Sequence, residues 1–294
     1  MQDLFLAIAL TSILFLLFRA FESRGIQLFP AVVINYITCV ITGLLFISHP
    51  SALLNVTPTW PPLALFTGSL FLGTFFLMGY TVQKVSVAAA TVANKISLVI
   101  PFLVNLFLFH HQSDHLLQDI LATVIAIVAI VMISISGQVT TTSSGKYFWI
   151  LPVIIFLMGG FIDSLINYLN LHLLPEKEQE FFPIFAFSAA AGIGTLILIY
   201  RHFAGIGKIH WKDVAGGILL GIPNYFSIYY VLRALSHFHN NGAVLFPVLN
   251  VGIILFSAFC AYILFKDKPN RKQLVGMLLA LISLALFLPP GSFF

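Results

Sequence analysis

Two ionisable residues within long apolar runs are the residues most able to do chemistry. Lys95 lies in the run 87–109 and Asp163 in the run 147–170. A charge at the centre of a membrane helix costs about 2.5–3.5 kcal/mol on insertion scales, so such a residue usually faces a cavity or a partner. We predict that Lys95 binds an anionic group of a ligand; the alternative is a structural lysine that caps carbonyls or is paired within the bundle. We predict that Asp163 takes up a proton or orders a gate; the alternative is hydrogen bonding between helices.

Neutral polar residues accompany these two charges. Asn167 and Asn170 follow Asp163 at helical spacing and extend one polar face. At 1.5 Å of helix per residue, Arg19 and Asn35 lie at about the same depth in the membrane as Lys95, near the face whose links carry most lysines and arginines. Asn250 lies at about the depth of Asp163, towards the opposite face. An alternative for Arg19 is an ordinary arginine at the headgroups. The predicted substrate-binding residues are Lys95, Arg19, Asn35, Tyr36, Asn94, Asn224, Tyr225 and Asn250, and the predicted proton-coupling or gating residues are Asp163 and Asn167.

Small residues and a proline precede Asn224 in the apolar run 214–233. Gly217 and Gly221 form a GxxxG pair, which lets two membrane helices approach closely. Pro223 removes one backbone hydrogen bond and can kink the helix. A kink here would direct Asn224 and Tyr225 into a cavity, and simple packing is the equal alternative.

Ten apolar runs must position these residues. The chain has 294 residues, of which 60% are hydrophobic and 8% charged, whereas soluble domains have roughly 45–50% and 25%. This composition excludes an ordinary soluble enzyme, a disordered chain and a nucleic-acid binder. Each run approaches the roughly 20 residues that a membrane helix needs. We therefore predict an all-α integral membrane protein with ten transmembrane helices at 4–21, 28–48, 63–82, 87–109, 116–136, 147–170, 181–200, 214–233, 243–265 and 272–288.

Basic residues are distributed unequally between the two sets of connecting links. One set contains 11 lysines and arginines and the other only Lys177 and Arg233. The positive-inside rule therefore predicts both termini outside, in a multi-pass protein of the cell (inner) membrane. No basic residue precedes the first apolar run, so we predict a retained first span and not a cleaved signal peptide.

The Thr/Ser-rich link divides the chain into two halves of five spans. The predicted organisation is a first repeat at 1–136, a linker at 137–146 and a second repeat at 147–294. Because the first half has an odd number of spans, the second half has the opposite orientation in the membrane. A shift of 156 residues maps 87–109 onto 243–265 without a gap and places Asn94 on Asn250. Inverted repeats with a binding site between them are the usual build of secondary transporters.

Two stretches of the chain resemble EamA-type transporters of the drug/metabolite transporter superfamily. They are TVQKVSVAAATVANKISLVIPFL (81–103) and the segment 233–287, with its span, short basic loop and glycine-containing last span. The resemblance implies a ten-helix basket that carries small metabolites. The chain departs from it at His110-His111, where members often carry a Gly-Glu pair. Characterised members are usually drawn with cytoplasmic termini, whereas the charge count predicts the opposite.

These observations predict a secondary transporter that exports a small carboxylate-bearing metabolite, such as an amino acid, by alternating access with proton coupling or exchange. No Walker motif is present, and we expect no enzymatic activity and no cofactor. The expected partners are the substrate, the lipid bilayer and a second copy of the chain, but no nucleic acid. One alternative is an intramembrane enzyme with a metal bound by His110, His111, Asp114 and His115. The other is a scaffold that transports nothing.

Overall fold

A computed structural model describes residues 2–47, 50–100, 104, 116–135, 148–237, 242–266 and 269–286. These residues form α-helices and two short 3-10 helices, at Pro50–Asn55 and Glu176–Phe181, and contain no β-strand. The α-helices are α1 Gln2–Arg24, α2 Leu28–Phe46, α3 Pro61–Lys84, α4 Val87–Ile96, α5 Leu116–Ile135, α6 Ile150–His172, α7 Phe182–Phe203, α8 Trp211–His237, α9 Gly242–Phe265 and α10 Arg271–Leu286.

Seven helical segments within the described residues are long and apolar enough to cross a membrane. They lie in α1, α2, α3, α6, α7, α8 and α9, whereas α4 and α10 are shorter. Large apolar side chains are exposed along these helices, including Leu196 at 68% and Phe259 at 62%. Apolar surface on this scale requires an apolar solvent. The prediction of an all-α, multi-pass membrane protein is confirmed.

The helices divide into two compact units, and both predicted halves contribute to each unit. The first unit contains 1–19, 77–160 and 226–294, and the second contains 20–76 and 161–225. In the first unit, α5 packs antiparallel to α10 through small residues. Ala122, Ala126 and Ala129 are fully buried on α5. Two interhelical hydrogen bonds join the pair, from Gln118 Nε2 to the Leu286 carbonyl and from Ser283 Oγ to the Ala122 carbonyl.

In the second unit, α2 is packed against both α7 and α8. The prediction that the GxxxG pair permits a close helix approach is confirmed. A Cβ added to Gly221 of α8 would lie 2.7 Å from the carbonyl oxygen of Asn35. One added to Gly217 would lie 2.7 Å from that of Ala31. Helix α8 continues through Pro223 to His237.

The fourth predicted span is interrupted after Ile96, where α4 ends. Ser97 is the C-cap, and Ser97 and Leu98 form a turn. The physical reason lies in the sequence, because Pro101 has no N–H to offer the Ser97 carbonyl. That carbonyl accepts instead from the Ile100 N–H at 2.9 Å, which tightens the turn. The Ser97 hydroxyl also donates to the Asn94 carbonyl at 2.5 Å, which competes with regular helical bonding. The prediction of one regular helix over 87–109 is therefore wrong at this point.

Candidate functional site

Lys95 lies in the last turn of α4, where the helix leaves carbonyls without intrahelical partners. The side-chain amide of Asn250 on α9 donates to the Lys95 carbonyl at 3.1 Å. The amide thus caps the open end of α4. This contact corrects the depth grouping, which set Asn250 with Asp163 and well away from Lys95. The depth count assumed that every helix starts at the membrane surface, and the contact between Lys95 and Asn250 does not agree with that assumption.

Other small polar groups line the contact between α4 and α9. The buried Ser257 hydroxyl lies 3.2 Å from the Ile254 carbonyl oxygen, to which it can donate, and 3.4 Å from the Thr91 hydroxyl oxygen. Gly159 of α6 lies against the end of α4, since a Cβ there would be 3.0 Å from Ser97 Oγ and 3.5 Å from the Asn94 amide nitrogen. The first unit therefore surrounds the Lys95 segment with hydrogen-bonding groups, while the lysine itself is partly buried.

A second polar set is buried between α2 and α8. The Asn224 amide donates to Asn35 Oδ1 at 3.2 Å, and the Cys39 thiol contacts the Gly221 carbonyl at 3.4 Å. Asn35 is fully buried, and its Nδ2 has no hydrogen-bond partner among the described residues. A buried donor of this kind requires an explanation. The two predicted residues Asn35 and Asn224 are thus brought together, with spare donor capacity for an acceptor atom.

The remaining predicted site residues lie in varied surroundings. Tyr36 is buried between the Phe75 and Phe187 rings, and its hydroxyl donates to the Phe71 carbonyl at 3.0 Å. The Tyr225 ring lies beside Gly43. Three further predicted residues are partly buried on their helices; they are Arg19, Asp163 and Asn167. The side chain of Asn170 lies outside the described residues.

The alternative metal site cannot be described. His110, His111, Asp114 and His115 all lie outside the described residues. Across the described part of the chain, no group of three or more histidine, cysteine, aspartate or glutamate side chains is arranged to hold a metal ion.

Sequence analysis missed a hydrogen-bonded cluster between two links, which we name the Trp60–Glu178 clasp and define as Thr57, Trp60 and Glu178. The Glu178 carboxylate accepts from Trp60 Nε1 at 2.6 Å, from the Thr57 N–H at 3.0 Å and from the Thr57 hydroxyl at 2.9 Å. Both Trp60 and Glu178 are buried, and the indole packs on Phe185. Three donors suit an ionised carboxylate. Only the tryptophan in a proline-rich link could have signalled this cluster.

We expect Asn250→Ala to lower the free energy of unfolding by about 1–2 kcal/mol, because the hydrogen bond from the Asn250 amide to the Lys95 carbonyl is lost. Ser257→Ala is the matched control on the same helix face, where the long bond to Thr91 predicts a smaller loss. Thermal unfolding in detergent measures both. Equal stability of Asn250→Ala and the wild type would contradict the capping role.

Comparison with known proteins supports the fold without assigning a function. No protein-family model matches the chain. A protein of Haemophilus influenzae described as uncharacterized is 22% identical over 289 residues, which cover 96% of this chain and 95% of that protein. A solved structure, described only as the crystal structure of a protein, superposes with a TM-score of 0.58 at 16% identity. The match covers 97% of this chain and 95% of the solved one, so the two chains share a fold.

Proposed function

We propose that the chain is a secondary transporter of the EamA type, in the drug/metabolite transporter superfamily, with ten spans in two inverted repeats. It moves a small carboxylate-bearing metabolite outwards across the cell membrane by alternating access, with both termini outside. Lys95 binds the carboxylate. Asp163 is the proton-coupling or gating residue.

The observation that carries this proposal is the interruption of α4 after Ile96, the residue that follows Lys95. Transporter sites are typically formed by discontinuous helices at the interface between repeats, where freed backbone groups and a charge meet the substrate. Here the interrupted helix is the fourth span, and the amide that caps it comes from α9, the ninth. Under the proposed repeat, these two helices are counterparts.

The proposed repeat is further supported by how helices pair within each unit. Among the described helices, the most extensive packing joins α5 with α10, α2 with α7 and α4 with α9. Each pair combines a span with the span five positions later. Each pair is also antiparallel; for example, Gly43 near the end of α2 meets Ile184 near the start of α7, whereas Val33 meets Gly194. Counterpart spans of an inverted five-span repeat are antiparallel, as these pairs are.

Counterflow in proteoliposomes tests the proposal. Vesicles would be loaded separately with amino acids, carboxylates or sugar phosphates, and entry of a labelled member of each pool would be measured. We expect concentrative exchange for a carboxylate-bearing pool and none in protein-free vesicles. Folded protein that exchanges no member of any pool would contradict the proposal, and bound metal in that protein would favour the enzyme alternative.

A further inference from the structure

A shallow cationic recess lies in the second unit, where α2 begins and α7 ends. It is lined by Gln27, Arg201, His202, Gly207, Lys208 and neighbouring apolar residues, and we name it the headgroup recess. None of its lining residues, all within the described part of the chain, is acidic. The carboxylate nearest in sequence, Asp213, is buried, and its two oxygens accept the backbone N–H groups of Gln27 and His210. The recess therefore presents positive charge.

Local backbone structure holds the cations of the recess in place. The Arg201 guanidinium lies over the Phe29 ring, 5.5 Å from its centroid, and beside Gly207. Gln27 Nε2 donates to the Lys208 carbonyl at 2.9 Å and so ties the loop to the start of α2. Gly205, with φ of +68°, allows α7 to end in a Schellman motif. In that motif the N–H groups of Ile206 and Gly205 bind the carbonyls of Arg201 and His202. The last carbonyls of α7 are thereby hydrogen-bonded.

Exposed apolar side chains flank the recess. Phe203 is 85% exposed, Trp211 76% and Tyr200 69%, and Ile206 and Ile209 are about half exposed. Aromatic side chains with this exposure at the end of a membrane helix are typical of the bilayer interface. A soluble anion would gain nothing from this flank, whereas the acyl chains of a lipid would cover it. Basic pockets beside membrane helices suit anionic headgroups.

We propose that the headgroup recess binds an anionic phospholipid, with Arg201 and Lys208 holding the phosphate and the exposed Phe203 and Trp211 flank in contact with its acyl chains. This site is independent of the transport proposal. It requires neither Lys95 nor a transported substrate.

Lipid binding to purified protein in neutral detergent tests the proposal. Dissociation constants would be measured for phosphatidylglycerol, phosphatidylcholine and inorganic phosphate. We expect wild type to prefer phosphatidylglycerol over phosphatidylcholine, and Arg201→Gln/Lys208→Gln to weaken phosphatidylglycerol binding roughly 20-fold. Lys208→Gln alone should weaken it roughly fivefold. Lys208 is exposed, so this single variant keeps the fold even if loss of the Arg201–Phe29 contact destabilises the double one.

Arg271→Gln/Lys272→Gln is the matched control, because it removes two exposed basic charges from the start of α10, away from the recess in sequence. It should bind phosphatidylglycerol as the wild type does. An equal loss in the control would overturn the proposal in favour of diffuse charge attraction. Equal affinity of wild type for phosphatidylcholine would overturn the role of the cations. Inorganic phosphate that binds as tightly as phosphatidylglycerol would overturn the lipid assignment and leave a soluble anion site.

Discussion

Lys95→Ala is expected to reduce transport of a carboxylate-bearing substrate on the order of 100-fold, because a desolvated charge that loses its ionic partner costs several kcal/mol. The fold should persist. The contact that caps α4 uses the Lys95 carbonyl and not its side chain, so alanine leaves the Asn250 hydrogen bond in place. Lys95→Arg should retain part of the activity, since the positive charge is kept while its geometry changes.

Lys84→Ala is the control for this experiment, because Lys84 is a partly buried lysine of the same unit that lies at the very end of its helix, α3. Initial rates of counterflow would be compared at equal amounts of reconstituted protein, with melting in detergent as the check on folding. Wild-type rates in Lys95→Ala would refute the substrate-binding role. Equal losses in Lys95→Ala and Lys84→Ala would point to a general effect of basic charge.

Gly68→Ala is expected to lower the free energy of unfolding by about 3 kcal/mol or more. A Cβ at Gly68 of α3 would collide with the backbone carbonyl of Ala186 on α7. A side chain could relieve such a clash by changing rotamer, whereas a backbone atom cannot. Gly192→Ala on α7 is the matched control, because nothing lies within 4 Å of its Cβ position. The control should be as stable as the wild type or more stable by up to about 1 kcal/mol, since alanine favours helix.

Chemical unfolding in mixed detergent would measure both glycine variants. The informative quantity is the difference in the free energy of unfolding between the two variants, because each replaces a glycine within a helix by alanine. If Gly68→Ala unfolds at the same detergent composition as Gly192→Ala, then α3 and α7 do not approach at this point as described.

Most of the helical architecture was predictable because a bilayer fixes the length of its apolar segments. The runs 4–21, 63–82 and 116–136 correspond to helices α1, α3 and α5 with ends that differ by at most three residues. The end of α4 was not predicted, although Pro101 carried the signal. Hydropathy alone does not distinguish a continuous apolar helix from an interrupted one.

The site was predictable in its residue types but not in its contacts. Buried amides at Asn35, Asn224 and Asn250 were identified because polar groups are costly in lipid. That Asn250 caps the Lys95 backbone could not be read from sequence, since the partner is a carbonyl that every residue possesses. Likewise, Glu178 lies 118 residues from Trp60, and each link appears merely polar by itself. Which residues form such hydrogen-bonded pairs depends on the tertiary packing of the chain.

The pairing of α2 with α7 has a consequence for how the protein is made. Ribosomes add about 5–20 residues per second, and α7 begins roughly 150 residues after α2, so α2 waits about 8–30 s for its partner. During that interval the face of α2 that later contacts α7 and α8, including Asn35 and Cys39, has neither helix to cover it. Successful biogenesis therefore depends on the earlier spans or the insertion machinery sheltering this polar face until the second half of the chain enters the bilayer.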